Sequence, residues 1–177
     1  STGMATLEEC RAGLARLRAT GSREVVLLHC VSLYPTPPDQ ANLRAIRTLQ
    51  ETLAVPVGFS DHTLGHEVTV AAVCAGACAI EKHFTLDCTQ PGPDHKLSAD
   101  PDGFRRMVAA IRAVEAMLGS GEKAPAEGEK AIIAPTRRGI ALSRDLAAGH
   151  VLTAQDLVLV RPATGIPAAE RETVLGR

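Results

Sequence analysis

Two histidines lie at the ends of two consecutive apolar segments of the chain. His62 closes "VGFSDH" and His83 closes "AIEKH", 21 residues further on. Neighbouring strands of a sheet lie about 4.8 Å apart, so two imidazoles at the same level can reach one ion. Neutral imidazole is a common ligand of first-row divalent metals, and two such ligands leave positions open for water and an oxygen-rich substrate. Spacing alone gives equal weight to a structural role, in which each histidine only makes hydrogen bonds.

Further polar side chains gather near the same segment ends. Residue type alone favours turn and cap roles for Ser60 and Asp94. Glu81 is two residues from His83 and shares its face of a strand, where an unpaired carboxylate is costly unless a cation or substrate lies nearby. In chain order these additional candidates are Ser32, Tyr34, Ser60, Glu81 and Asp94.

The elements that must position these residues alternate between helix and strand. Apolar runs predict strands at 24–35, 55–62 and 78–86, and helical spacing predicts helices at 4–21, 39–53, 67–77 and 100–119. Thr6 and Glu9 fit a capping box, and Asp100 with Pro101 fits a helix start that Gly119 brings to an end. Such alternation is typical of a parallel sheet with right-handed crossovers.

A doubly wound sheet and a (β/α)8 barrel both accommodate this order. The barrel accounts for more, because every predicted strand carries its polar residues at its carboxyl end, which is the catalytic face of such barrels. No G-x-G-x-x-G occurs, so nothing favours dinucleotide binding. Residues 119–135 are rich in Gly, Pro, Ala and Glu and predict a linker, and residues 136–177 predict a small β-rich module.

Composition excludes several classes of protein. The chain is 45% hydrophobic and 22% charged with a net charge of −1, which gives no basic excess for nucleic acid. No membrane span and no signal peptide is evident, so a cytoplasmic location without membrane association is expected. The five cysteines do not suggest a disulfide framework, and Cys74 and Cys78 are predicted to be small core residues.

His29 and His66 are expected to be structural histidines.

Several blocks of sequence resemble one enzyme family in order and spacing. They are "STGM", "LLHCVSLYPTP", "VGFSDHT", "IEKHFTLD", "GPDHKLS" and "VLVRPATGI". Together they resemble the sialic acid synthase family over nearly all of the chain. The resemblance implies an α/β fold: the C-terminal half of a (β/α)8 TIM barrel in residues 1–118, about strands 5–8, followed by an incomplete antifreeze-like (SAF, β-clip) domain in residues 136–177.

The activity implied by this resemblance is the condensation of phosphoenolpyruvate with N-acetylmannosamine or a related N-acyl amino sugar. The products would be a nonulosonic acid and phosphate, and Mn²⁺ or Mg²⁺ would be the cofactor. The resemblance also implies a domain-exchanged homodimer, and it implies that a chain lacking the first barrel strands is inactive alone. Two alternatives remain open: a related synthase acting on a different acylated sugar, and a non-enzymatic SAF-containing binding protein.

The same resemblance assigns roles to individual residues. His62 and His83 match the metal-binding histidines, and Ser60 matches a residue near the phosphate of phosphoenolpyruvate. Tyr34 and Asp94 match sugar contacts, and Glu81 resembles a carboxylate that handles the attacking water. Arg161 matches an arginine that the small domain offers to the N-acyl group. Ser32, a further substrate-binding candidate, stands where some members carry Asn.

Overall fold

Two units, Ser1–Gly121 and Glu122–Arg177, make up the computed structural model, which describes residues 1–177. The first unit contains three strands and four helices. In chain order these are α1 (Leu7–Ala19), β1 (Leu27–Cys30), α2 (Arg44–Leu53), β2 (Val57–Asp61), α3 (Glu67–Cys74), β3 (Ile80–Lys82) and α4 (Pro101–Leu118). No helix in either unit has the length and apolarity that crossing a bilayer requires.

The three strands form one parallel sheet in the order β1-β2-β3. Every residue of the central strand β2 is buried, as expected of a strand covered on both faces. Gly58 allows close approach of its neighbours, because a Cβ there would lie 2.5 Å from the Ala79 carbonyl oxygen and 2.6 Å from Leu28 Cδ2. The predicted alternation of helices with parallel strands is therefore confirmed.

The hydrophobic core lies between the sheet and the helices that precede and follow its strands. The most deeply buried core side chains on α2 and β2 include Ile46 and Val57, which are both 0% exposed. The buried members of this core are Cys10, Leu14, Leu27, Ala41, Ile46, Leu49, Leu53, Val55, Val57, Phe59 and Ala72. Burial of this apolar stripe holds β2 in the middle of the unit and so fixes where its carboxyl end lies.

The predicted caps of α1 and α4 are confirmed, although both helices are shorter than the predicted ranges 4–21 and 100–119. Thr6 and Glu9 form the reciprocal capping box of α1. At α4 the Asp100 carboxylate accepts from Gly103 N at 2.6 Å, Pro101 occupies the first turn, and Gly119 follows the last residue with φ of 60°. These caps satisfy backbone groups that the helix ends leave without an intrahelical partner.

The first predicted strand, 24–35, was too long. It reduces to Leu27–Cys30, because the next carbonyl groups bond to side chains and not to a neighbouring strand. Thr36 Oγ1 donates to the oxygens of Val31 and Leu33, at 3.2 Å and 2.8 Å. Likewise β3 ends at Lys82, after which the chain pairs with residues around Ala99. Residues 1–4 form no strand, although Thr2 N donates to Leu28 O at 2.9 Å.

Two further predictions were wrong. Cys74 and Cys78 are exposed and do not belong to the core. The predicted linker 119–135 contains most of helix α5 (Glu127–Thr136), whose start is stabilised by Ala126 N donating to Glu129 Oε2 at 2.7 Å and by the Glu127–Lys130 ion pair. Pro135 is the next-to-last residue of the helix and has no N–H to donate to the carbonyl group of Ala131, and its presence favoured a linker in the sequence interpretation.

The second unit contains helix α5 followed by a two-stranded antiparallel sheet, β4 (Gly139–Leu142) and β5 (Leu157–Val160), and a short helix α6 (Arg171–Val174). Asp156, immediately before β5, is 1% exposed. Its carboxylate accepts hydrogen bonds from Thr153 Oγ1 at 2.6 Å, Thr153 N at 3.0 Å, His150 Nε2 at 2.9 Å and Arg144 at 2.7 Å. These bonds, led by that from the Thr153 hydroxyl and then that from His150, hold the pKa of Asp156 well below its usual range.

This network predicts acid sensitivity of the second unit. Because the pKa of Asp156 is lower in the folded than in the unfolded state, its stabilisation is present above the ordinary Asp pKa of about 4 and is lost as pH falls below it. We expect Asp156→Asn to lower Tm by roughly 5–10 °C at pH 7 and to flatten the dependence of Tm on pH below about 4. Thermal unfolding of the full-length protein from pH 3 to pH 8 measures both effects.

The matched control is Asp145→Asn, an exposed aspartate in the same unit. It should leave the pH dependence of Tm unchanged. An Asp156→Asn protein with the same acid profile as wild type would contradict the prediction.

Candidate functional site

Three rings meet at the carboxyl ends of the parallel strands. His62 follows β2, His83 follows β3, and Tyr34 lies in the loop after β1. The ring centroids of His62 and His83 are 5.2 Å apart, and Tyr34 lies 4.2 Å from His62 and 5.7 Å from His83. The structure thus brings together the two predicted metal ligands and one predicted sugar contact, which we call the ring cluster.

The orientation of His62 is fixed by backbone next to β1. Its Nδ1 lies 2.9 Å from the carbonyl oxygen of Val31, and the Cys30 sulfur is 3.8 Å from the same nitrogen. A carbonyl oxygen only accepts, so this bond places a proton on Nδ1, and in the neutral ring the lone pair is then on Nε2. Ligand histidines are typically oriented in this way by a bond from the other ring nitrogen. His62 is 6% exposed, so its ring has little freedom to turn away.

His83 is more open and has an acidic neighbour. Asp94 Oδ2 lies 3.7 Å from His83 Nδ1, and the two side chains are 54% and 30% exposed. The loop between them returns to the strand, because Ala99 N donates to His83 O at 2.8 Å and Thr85 N donates to Ala99 O at 3.0 Å. The predicted sugar contact Asp94 is therefore held beside a predicted metal ligand, although the two are 11 residues apart in sequence.

Ser60 and Glu81 are joined by a hydrogen bond between their side chains. They are opposite each other in the β2–β3 register, and Ser60 Oγ donates to Glu81 Oε1 at 2.7 Å. Ser60 is 3% exposed, whereas Glu81 is exposed. Both share the sheet face of the histidines because each lies two residues before His62 or His83. Two residues with separate predicted roles thus form one hydrogen-bonded pair beside the ring cluster.

The opposite face of the same strand ends holds a buried ion pair that the motif reading did not single out. Asp61 and Lys82 are 2.8 Å apart, and their side chains are 0% and 2% exposed. The signal for it was present in the alternation of each strand, since residues between inward-facing neighbours must point the other way. Opposite charges at neighbouring positions on that face, Asp61 on β2 and Lys82 on β3, indicate that the two side chains pair with each other.

The donor set of the ring cluster fits a divalent ion held by two imidazoles. No group of three or more His, Cys, Asp or Glu side chains with metal-binding geometry exists in the structure. A site built on His62 and His83 would therefore leave most coordination positions to water and substrate oxygens, as a Lewis-acid site requires. His62 Nε2 is available for this role for the reason given above.

Ser32 and Arg161 lie outside the ring cluster. Ser32 is half-buried and packs against Gly3, where an added Cβ would collide with the Ser32 hydroxyl. Arg161 follows β5 and belongs to the second unit. His29 is buried and its Nε2 lies 2.9 Å from Ala41 O, which confirms the structural role expected of it.

The first unit also has a cavity of about 240 Å³ that none of the predicted site residues lines. Lys82, Leu97 and Met107 are among its walls, together with His66 and Arg106. Because Lys82 points away from the face that carries the histidines, this cavity is separate from the ring cluster.

Comparison with known proteins covers both units. A model of the NeuB family matches residues 1–123, and a model of the SAF domain matches residues 137–177. The chain is 46% identical over 180 residues to N,N'-diacetyllegionaminic acid synthase from Legionella pneumophila, covering 99% of this chain and 51% of that protein. It is 36% identical over 178 residues to pseudaminic acid synthase from Campylobacter jejuni, covering 100% of this chain and 51% of that protein.

A solved structure of a related enzyme is also similar to this chain. The crystal structure of N-acetylneuraminic acid (sialic acid) synthetase from Leptospira borgpetersenii is similar with a TM-score of 0.68 and 37% identity, covering 74% of this chain and 46% of that one. The chain spans about half the length of the curated relatives it matches.

Proposed function

The chain belongs to the NeuB family, and on that premise we propose that the full-length protein condenses phosphoenolpyruvate with an N-acyl amino sugar. A bond forms between the methylene carbon of phosphoenolpyruvate and the aldehyde carbon of the open-chain sugar. Water adds at the enol carbon and phosphate leaves, giving a nonulosonic acid. In this proposal the parallel strands of the first unit are part of a (β/α)8 barrel that further chain completes.

The observation that carries the proposal is the ring cluster at the carboxyl ends of adjacent parallel strands. His62 and His83 would hold Mn²⁺ or Mg²⁺ through imidazole nitrogens, with His62 oriented by Val31 O. A bound divalent ion supplies Lewis acidity toward the aldehyde oxygen of the sugar. The carboxyl ends of barrel strands are where such folds place their catalytic residues.

The other side chains orient reactants and move protons. Tyr34 packs on His62 and is 53% exposed, so its hydroxyl can bond a sugar while its ring limits movement of the imidazole. Asp94, beside His83, can accept from a sugar hydroxyl and steady the His83 ring. Glu81 can take a proton from the attacking water, and the bond from Ser60 fixes its Oε1. Fixing reactants in this way lowers the entropic part of the barrier.

The sugar we propose carries two N-acyl groups. The chain is more identical to the diacetyllegionaminic acid synthase, at 46%, than to the pseudaminic acid synthase at 36% or the sialic acid synthetase at 37%. The product named for the first of these carries two N-acetyl groups, so the aldehyde that forms it carries both. N-acetylmannosamine, the substrate first implied by the resemblance, becomes the alternative.

The second unit contributes Arg161 in this proposal. The guanidinium has several donors in a fixed plane, which suits it to hold the carbonyl oxygen of an N-acyl group. We propose that it serves the barrel of a partner chain in a domain-exchanged homodimer, an arrangement that two-fold symmetry allows.

Phosphate release by the full-length protein tests the activity. With phosphoenolpyruvate, Mn²⁺ and a 2,4-diacetamido hexose we expect release of phosphate and a kcat/KM at least about tenfold higher than with N-acetylmannosamine. A tenfold preference corresponds to about 1.4 kcal/mol, within reach of one or two hydrogen bonds to the second N-acyl group. Release of no phosphate with either sugar, from folded Mn²⁺-loaded protein, would refute the proposal. Equal values for both sugars would refute only the choice of sugar.

A further inference from the structure

The buried ion pair lies directly behind the two histidines, on the opposite face of the sheet. Asp61 immediately precedes His62, Lys82 immediately precedes His83, and Asp61 and Lys82 are register partners on β2 and β3. Both charged groups are almost fully removed from solvent. Buried charges are tolerated only when they are closely paired and well hydrogen-bonded, so any displacement of one strand end that separates this pair is costly.

Lys82 also bonds to the backbone of Thr63, the residue after His62. Its Nζ donates to Asp61 Oδ2 at 2.8 Å and to the carbonyl oxygen of Thr63 at 2.7 Å. The ammonium group therefore bonds to the residue before His62 and to the residue after it. Since Lys82 is itself adjacent to His83, one side chain ties together the backbone segments that carry both imidazoles.

Two threonines satisfy the rest of the Asp61 carboxylate. Oδ1 accepts from Thr63 N at 2.8 Å and from Thr63 Oγ1 at 2.7 Å. Oδ2 accepts from Thr69 Oγ1, on α3, at 2.5 Å. Thr63 and Thr69 are both 0% exposed. The bond from Thr69 anchors the pair to a helix, so the strand ends are fixed against the body of the unit and not only against each other.

We propose that Asp61, Lys82 and Thr69 are positioning residues that set the separation of His62 and His83, and through it the affinity for the divalent ion. The inference rests on the proposed function, because it takes the two histidines to be the metal ligands. These residues act through the backbone of β2 and β3, since Asp61 and Lys82 lie on the sheet face opposite to the ring cluster and Thr69 bonds to Asp61 from α3. Pre-set ligand geometry is what a two-histidine site needs, because it has no further protein ligand to correct a misplaced ring.

The test is Mn²⁺ affinity of the full-length protein, measured by the EPR signal of free Mn²⁺ during titration. The double variant D61N/K82M removes both charges together and so leaves no unpaired buried ion. We expect it to fold and to bind Mn²⁺ at least about tenfold more weakly, the lower end of what substitutions around metal ligands cost. Thr69→Val, which removes one hydrogen bond with little change of shape, should weaken binding in the same direction, and Thr69→Ser should restore it.

Two controls separate positioning from general effects of substitution. Arg47 and Glu51 form an exposed ion pair at 2.6 Å on α2, and R47M/E51Q should bind Mn²⁺ as wild type does. Ile46→Val lowers stability from a fully buried core position and should also leave Mn²⁺ affinity unchanged.

The outcomes are distinguishable. Wild-type Mn²⁺ affinity in both D61N/K82M and Thr69→Val would overturn the inference. If D61N/K82M does not fold, the comparison of Thr69→Val with Thr69→Ser decides alone. Mn²⁺ binding that persists in His62→Ala and His83→Ala would instead overturn the proposed metal site, and the inference with it.

Discussion

Mn²⁺ binding should be lost when either His62 or His83 is replaced by Ala in the full-length protein. The two imidazoles are the only protein ligands in the proposed site, so removal of one leaves an ion held by a single nitrogen. Loss of the ion removes several kcal/mol of transition-state stabilisation, which corresponds to a fall in kcat of at least about 10³-fold. Metal analysis of the purified variants and a phosphate-release assay measure the two effects.

The double variant His62→Ala/His83→Ala should be little worse than either single variant, because ligands of one ion act as a unit. His66→Ala is the matched control, since this histidine lies at the start of α3 and outside the ring cluster. It should retain metal and activity. Unchanged Mn²⁺ content in both single variants would exclude these histidines as the metal site.

Arg161→Ala is expected to be nearly inactive in the full-length protein, with a loss of at least about 10²-fold. A hydrogen bond from a charged donor is worth about 1.5–3 kcal/mol, and its loss also frees the N-acyl group to move. Arg138→Ala, an exposed arginine of the same unit, should remain active. A steady-state assay with both reactants compares the two variants.

A mixed dimer of Arg161→Ala and His62→Ala chains tests whether Arg161 serves the partner's barrel. In an exchanged dimer one of the two sites combines an intact barrel with an intact arginine, so activity should recover to about half that of wild type. If Arg161 served its own barrel, both sites would remain defective. Mixed dimers purified through two affinity tags and confirmed by mass spectrometry should therefore be active; inactive ones would exclude the exchange.

The fold of the first unit could be predicted from local patterns. Apolar runs predicted the three strands, although only β2 is buried along its whole length, and the caps Thr6 and Asp100 predicted the starts of α1 and α4. Strand lengths could not be predicted. The end of β1, for example, depends on hydrogen bonds that the Thr36 hydroxyl donates to the carbonyl oxygens of Val31 and Leu33. Helix α5, in the second unit, was missed because the Gly, Pro, Ala and Glu content of residues 119–135 is typical of a linker. The stabilising bond from Ala126 N to Glu129 is not visible as a sequence pattern.

The candidate site was predictable on one face of the sheet only. Histidines at strand ends pointed to the ring cluster, and family resemblance supplied Tyr34 and Asp94. The pairing of Ser60 with Glu81 requires the β2–β3 register, which one strand sequence does not contain. Alternation along each strand places Asp61 and Lys82 on the rear face of the sheet, whereas the bond from Thr69 on α3 to Asp61 depends on how the helix packs. The exact partners are set by strand register and tertiary packing, which the sequence of a single segment does not specify.

The ion pair of Asp61 with Lys82 also affects the register in which β3 pairs with β2 during folding. A slip of β3 by one residue would turn its side chains over, bringing Lys82 to the face of the imidazoles and His83 to the rear. Asp61 would then be buried without its cation, a penalty far greater than the loss of one apolar contact. β3 has only three residues and few hydrophobic contacts to specify its alignment. The ion pair therefore favours the native alignment of β3 over registers shifted by one residue.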